Sequence, residues 1–349
     1  LVGDNPLFAQ LGARRFDDTI KGVDGPDAPV PRAPDELAWL ACTSGTTGTP
    51  KAAMHTGATW ERQTAVFAEH FRLGSEDPIL VTCPVGHAVA LLFGVRMSLY
   101  VNSTMVLVPR WSAEAGADLV EQYGCTFTVA PTPYLMDAVT HAEAVDNSPW
   151  RSLRYFPSAG APVPRTLVHR ALEALPDCQV WSYFGTSEAG AVTAVPLDAD
   201  LPERLDTDGI ALPGMRTRVV DGELELAGIQ TMTGYWSGDP DGRLKPDGWY
   251  ATGDAAEQRD DGYIKMIGRA RDIILRGGEN ISPLEIENVL LGHPDITDAA
   301  VVGYPDDRLG SRLAAAVVTE QPLTLDVLRG QCESAGLAKA KWPEFMFEM

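Results

Sequence analysis

Little in this chain of 349 residues points to crosslinks, nucleic acid or membrane. Only 5 cysteines are present, Cys42, Cys83, Cys125, Cys178 and Cys332. They are scattered, odd in number and never spaced C-x-x-C, which argues against a disulfide framework or a zinc site and for reduced, buried thiols. Basic residues are scarce: 28 Lys and Arg against 48 Asp and Glu give a formal charge of −20 and a pI near 4.6. Such a surface repels nucleic acid and anionic membrane, so an anionic substrate needs a local basic pocket. The most apolar stretch, residues 88–109, is interrupted by Arg96 and Asn102 and does not read as a membrane span. The N-terminus shows no basic, apolar, small-residue order of the signal-peptide kind, and the expected location is the cytoplasm.

What is present is ordinary globular composition, 45% hydrophobic and 22% charged, in a length suited to two or three domains. Residues 1–36 carry no sustained periodicity. From about 37 to 195, apolar runs alternate with helical patterns, as in "STMVLVPR", "AEAGADLVEQYG", "TFTVAPTP" and "YLMDAVTHAEA". That alternation predicts an α/β fold of parallel βαβ units. A β-rich subdomain is expected over about 196–268, completing an N-terminal core over 1–270. A small α+β C-terminal domain is expected over 271–349. It opens at Ser282, where S-P-L-E reads as a capping box with proline at the first helical position, and Ile281 and Ile286 are spaced as a hydrophobic staple.

The densest chemistry lies in "TSGTTGTPK", residues 43–51, between the run "LAWLAC", read as a buried strand, and "AAMHTGATWERQTAVFAEHF", read as a helix. Backbone amides and hydroxyls converge on phosphate in a loop of that layout. A nucleoside-triphosphatase P-loop is excluded: Lys51 is followed by Ala52 rather than Ser or Thr, and Pro50 separates glycine from lysine. Lys51 supplies a charge that either meets phosphate or pins the loop.

Four further segments follow in order: "SAGAPVP" at 158–164, "YFGTSEAG" at 183–190, "WYATGD" at 249–254 and "GYIKMIGRARDIILRGGENISPLEIE" at 262–287. Singly, each has a plain explanation as turn, cap or surface charge. Together with the loop they resemble the adenylate-forming superfamily of acyl-CoA synthetases, luciferases and peptide-synthetase adenylation domains, from about residue 37 onward. Within it the sequence is most similar in character to medium-chain or alicyclic acid–CoA ligases.

The resemblance implies activation of a carboxylic acid by ATP to acyl-AMP and pyrophosphate, then acyl transfer to CoA. It implies ATP, Mg2+ and CoA as cofactors and acceptor. Thr43, Ser44, Gly45, Thr46, Thr47 and Gly48 would hold phosphates with Lys51. Thr186, Ser187 and Glu188 would act at the reacting centre, Glu188 as the Mg2+ ligand. Gly160, Ala161, Pro162, Tyr183, Phe184 and Gly185 would surround adenine, with Tyr183 or Phe184 stacked on it. Asp254 and Arg269 would bind ribose. His87, Val85, Ala130 and Leu92 would line a hydrophobic acid pocket. Arg271 stands at the hinge, and Gly277 and Gly278 at the pantetheine tunnel. A carrier-protein phosphopantetheine or an amine is the alternative acceptor, and a homodimer the expected assembly. Two departures stand out: only 42 residues precede Thr43, and the family's late catalytic lysine is not matched, since Lys341 lies in a K-x-P before that loop. The chain is therefore expected to be a fragment, or else a truncated paralogue that binds nucleotide without completing adenylation.

Overall fold

The computed structural model describes residues 32–43, 51–145, 148–159, 163–239, 241–306, 308–319 and 321–349. Its centre is a five-stranded, all-parallel sheet in the order β4-β3-β5-β6-β7, formed by β3 (Ile79–Val81), β4 (Met105–Leu107), β5 (Phe127–Thr128), β6 (Tyr155–Ser158) and β7 (Gln179–Ser182). The expected alternation is present: helices Ala113–Tyr123, Thr132–Ala144 and Arg165–Ala174 connect successive strands from β4 to β7. The strands β3, β5, β6 and β7, short and buried along most of their length, need both faces covered. The large core supplies that cover through Phe67, Phe71, Phe127, Phe156 and Trp181, all almost wholly buried.

Two expectations near the glycine-rich loop need correction. The run after the loop does not enter a helix at once. Lys51–Thr56 is a strand, β2, paired antiparallel to β1 (Leu37–Thr43) in the register Thr43↔Lys51 to Leu37↔Thr56. The helix, α1, starts only at Gly57, capped by the Thr56 hydroxyl accepting from Thr59 N at 3.2 Å, and runs to His70. Pairing on both sides overrides local helical preference here, because β14 (Gly234–Tyr235) hydrogen-bonds to the other edge of β2. Nor is β1 a buried strand: it is an edge, with Leu37, Leu40 and Cys42 exposed and Ala41 buried.

The β-rich segment is a four-stranded antiparallel sheet of β12 (Met215–Val220), β13 (Glu223–Gly228), β15 (Tyr250–Gln258) and β16 (Ile264–Arg269). Asp208 ties it to the parallel sheet. Its carboxylate accepts from the Ser182 hydroxyl at the end of β7 and from Met266 N on β16, with Arg165 Nη2 at 3.6 Å.

Beyond a 3-10 turn, Ala270–Asp272, a hairpin of β17 (Ile274–Arg276) and β18 (Glu279–Ile281) leads to the helix Pro283–Leu290. Three more strands then form one sheet, β19 (Ile296–Asp306), β20 (Gly310–Thr319) and β21 (Phe345–Glu348), with the helix Leu325–Ser334 before the last. Ser282 Oγ caps the first helix by accepting from Glu285 N at 3.2 Å, and Ile281 and Ile286 are both fully buried in one cluster. The reciprocal half of the capping box is replaced. The Glu285 carboxylate takes Lys341 Nζ at 2.6 and 2.8 Å, while Ser282 Oγ donates to Ile267 O at 2.6 Å. Ser282→Ala removes both bonds of the hydroxyl and is expected to cost about 1–2 kcal/mol, read as a lower denaturant midpoint with an unchanged slope.

Candidate functional site

The inward face of β2 sets the geometry. Along Lys51–Thr56 burial alternates, so Lys51, Ala53 and His55 point inward while Ala52, Met54 and Thr56 are half-buried. On the neighbouring β14, Tyr235 pairs with Ala53 and is itself buried. Lys51, Tyr235 and His55 thus enter one interior region from adjacent strand positions. Lys51 Nζ forms an ion pair with Asp241 Oδ2 and lies 5.3 Å from the centre of the Tyr235 ring. The ammonium holds the Asp241 carboxyl below the usual carboxylate range.

The turn facing them is a short hairpin, β8 (Gly185–Thr186) against β9 (Gly190–Ala191), and its loop presents Ser187 and Glu188. Gly190 closes it at φ 65°, and a Cβ there would sit 2.8 Å from Gln63 Cγ on α1, so conformation and contact both require glycine. Glu188 N donates to Thr186 Oγ1 at 3.2 Å, and Met232 N donates to Glu188 O at 2.7 Å. The Glu188 side chain is buried, and the Tyr235 hydroxyl donates to its Oε1 at 2.7 Å. Tyr250 Oη lies 3.0 Å from Tyr235 Oη. Burial first, then the Glu188 charge, raises the pKa of both phenols, so both stay protonated donors.

His55 holds the same turn from the other side, with Nε2 2.8 Å from Ser187 O. Gln63 Nε2 lies 3.1 Å from His55 Nδ1 and donates to Gln230 O at 3.0 Å. Burial lowers the pKa of the imidazole, against the Ser187 carbonyl and the Glu188 charge. As a neutral ring it donates through Nε2 and accepts through Nδ1. Trp39 stacks on His55 with ring centres 5.3 Å apart and closes this side from solvent.

Asp254 on β15 stands opposite Arg269 on β16, and Arg269 Nη1 is 2.9 Å from Asp254 Oδ1. Burial raises the Asp254 pKa to about 6; Arg269 opposes the rise, and Glu188 and Glu223 add to it. The charges of Glu188 and Asp254 therefore share one region. Gly253 sits at φ 77°, a backbone conformation that strains any L side chain, and the Arg243 guanidinium lies against it. Among the described residues no cluster of three or more His, Cys, Asp or Glu side chains could by itself enclose a metal ion. A single buried carboxylate suits a hard cation such as Mg2+ that takes its other ligands from phosphate and water.

Lys51, Thr186, Ser187, Glu188, Gly185, Asp254 and Arg269 are all placed on these converging strands and turns. Thr43 ends β1, paired with Lys51. Ser44, Gly45, Thr46, Thr47, Gly48, Gly160, Ala161 and Pro162 lie outside the described residues. The aromatic pair needs correction. Tyr183 is a core residue, its ring 5.3 Å from Phe67 and 5.9 Å from Phe93, and it is not available to stack on a base. Phe184 belongs to the second core but keeps 9% exposure.

The acid-pocket residues divide in two. Ala130 and Leu92 are buried in the large core, whereas Val85 and His87 are exposed on a loop, where His87 Nδ1 accepts from Val89 N at the start of a short helix. Arg271 is exposed in the 3-10 turn, 3.4 Å from Asp272. Gly277 and Gly278, at φ 59° and 88°, form the two-residue turn of the β17–β18 hairpin, which needs positive φ at both. His55, Gln63, Tyr235, Tyr250 and Asp241 escaped the sequence reading. The signal for His55 is its place four residues after Lys51, on the same face of a period-two alternation that shows only when 51–56 is read as a strand.

Comparison with known proteins shows the family and the fold. The sequence family described as AMP-binding enzyme matches residues 4–236, and the AMP-binding enzyme C-terminal domain matches 285–347. A medium-chain fatty-acid–CoA ligase from Escherichia coli is 34% identical over 329 residues, covering 89% of this chain and 57% of that protein. A salicyl-AMP ligase/salicyl-S-ArCP synthetase from Mycobacterium tuberculosis is 34% identical over 346 residues, covering 93% and 60%. The structure of o-succinylbenzoate CoA synthetase from Bacillus subtilis with its acyl-adenylate intermediate superposes with a TM-score of 0.88 at 24% identity, over 99% of this chain and 73% of that one. The chain spans well under two thirds of the length of these two curated relatives. Among the described residues no helix is long and apolar enough to cross a membrane.

Proposed function

Because the chain belongs to the AMP-binding enzyme family, we propose that its protein activates a carboxylic acid with ATP, giving acyl-AMP and pyrophosphate, and then passes the acyl group to the thiol of CoA. The observation that carries this reading is the convergence of Lys51, Glu188 and Asp254 on one interior region, with the half-exposed Arg269 paired to Asp254. The carboxylate oxygen attacks the α-phosphorus, the bond to the β-phosphate oxygen breaks, and pyrophosphate leaves. Such chemistry needs positioning and charge neutralisation more than covalent help.

Each residue then has a task. The loop at 43–51 holds the phosphate chain, with Lys51 at its foot. Glu188 is the protein ligand for Mg2+, and when bound the ion neutralises developing phosphate charge. Thr186 and Ser187 bring hydroxyls to the same turn. Asp254 accepts from the ribose hydroxyls and Arg269 donates to them. Phe184 takes the adenine role, which the burial of Tyr183 denies to Tyr183. Val85 and His87 meet the acid at an exposed loop. Arg271 is the pivot about which the C-terminal part turns, and the two-glycine turn at 277–278 borders the pantetheine path.

Similarity to the E. coli enzyme favours a hydrophobic acid and CoA. Similarity to the mycobacterial enzyme keeps a carrier-protein thiol as the second acceptor. The deciding assay is acid-dependent ATP–pyrophosphate exchange by the complete protein over a panel of acids, with its intact mass measured alongside. Exchange that rises with one class of acid supports the reading. Nucleotide binding without exchange for any acid would replace the ligase with a nucleotide-binding paralogue.

A further inference from the structure

Tyr235 belongs to none of the binding groups above, yet it touches two of them. Its place follows from strand register: on β14 it lies opposite Ala53, midway between Lys51 and His55 on the inward face of β2. Its hydroxyl and its ring then do different things.

The hydroxyl has one proton. A carboxylate only accepts, so that proton goes to Glu188 Oε1, at 2.7 Å. The bond to Tyr250 must run the other way, with Tyr250 donating to Tyr235 across 3.0 Å. Two phenols in series thus end on one carboxylate oxygen, each bond polarising the next. Glu188 is fixed in one orientation, with Oε2 left for a cation. The ring face carries the Lys51 ammonium at 5.3 Å, and Asp241 completes its seat as an ion pair.

We propose that Tyr235 is a positioning residue that couples Lys51 to Glu188, so that divalent cation and triphosphate bind cooperatively through it. The proposal rests on the adenylation reading. A cation–triphosphate complex presents two charges at a set spacing. The rigid ring of Tyr235 sets the matching spacing in the protein, ammonium on its face and carboxylate at its hydroxyl. Ordering one ligand's partner orders the other's, and linkage makes the effect reciprocal.

The test compares the complete wild-type protein with Tyr235→Phe and Tyr235→Leu. Mn2+ affinity is followed by the paramagnetic resonance of the free ion, with and without a non-hydrolysable ATP analogue. Analogue affinity is measured again in chelator, and melting temperature is recorded for each protein. Tyr235→Phe keeps the ring and loses the hydroxyl, and should weaken Mn2+ about tenfold, as expected for a lost bond to a charged group, with metal-free analogue binding unchanged within about twofold. Tyr235→Leu should weaken both and bring the cooperativity factor towards one. If Tyr235→Phe melts lower yet binds Mn2+ and analogue like wild type, the hydroxyl serves only the stability of the fold and the coupling is wrong. Failure of the two readings is separable. Wild type that binds both ligands cooperatively without exchange overturns the ligase reading alone. Intact exchange with an unaltered Tyr235→Phe overturns the coupling alone.

Discussion

Glu188→Gln is expected to lower acid-dependent pyrophosphate exchange by a hundred- to a thousandfold or more, with little loss of folded protein. The fold should survive because the turn is held by its backbone. Glu188 N on Thr186 Oγ1, Met232 N on Glu188 O and His55 on Ser187 O are all indifferent to the side-chain charge. The amide oxygen of glutamine can still accept from Tyr235. What disappears is the negative charge that a divalent cation needs from the protein where the described residues offer no cluster of ligands. Glu188→Ala is harsher, because it also leaves the buried Tyr235 hydroxyl without its acceptor, at about 1–3 kcal/mol of stability. Exchange rates and melting temperatures of the two variants therefore separate the roles. A Glu188→Gln protein with normal exchange would remove Glu188 from the reaction.

Much of this site was legible before any coordinates. Glycine-rich loop, Y-x-G-T-S-E turn, T-G-D and G-R-A-R follow one another in sequence, and turn chemistry marks each. Gly253, Gly277 and Gly278 do sit at positive φ, where their residue type carries the information. The alternation of strands and helices likewise gave the parallel sheet, since period and length differ between the two. What failed had a common cause. Residues 52–56 read locally as the start of a helix because their strand state depends on β14, some 180 residues later in the chain, and local preference contains nothing of that. Losing that strand hid the inward face carrying His55. Tyr183 and Phe184 remain alternatives in the sequence because it does not say which of two adjacent aromatics faces the core. Glu285 found Lys341 instead of its own helix end for the same reason. Long-range pairing decided each case.

Asp254→Asn is expected to stabilise the protein at neutral pH while impairing nucleotide binding. Burial raises the folded-state pKa of Asp254 to about 6. The unfolded value is about 3.9, so the folded state binds this proton more tightly. The sign follows: between about pH 4 and pH 6 the folded protein holds more proton, and stability falls as pH rises through that window. Below about pH 4 the carboxyl is protonated in both states and its penalty vanishes; above about pH 6 the penalty is complete. Two pKa units correspond to about 3 kcal/mol, an order-of-magnitude figure that is already net of the opposing Arg269 charge. Asparagine removes the buried charge at nearly constant shape, so urea unfolding at pH 7 should show a gain of about 1–3 kcal/mol that disappears near pH 4. The same change removes charge-assisted acceptance from the ribose hydroxyls, and ATP affinity should drop about ten- to a hundredfold at pH 7. Wild-type affinity should itself decline as pH falls through about 6, where Asp254 takes up its proton; the variant should show no such decline. A destabilised Asp254→Asn at pH 7 would mean that the Arg269 pair outweighs burial. An unchanged ATP affinity would take the carboxylate out of the ribose site. The two measurements are independent, and the expected combination of higher stability with weaker binding is the signature of a charge that the fold tolerates for the sake of its ligand.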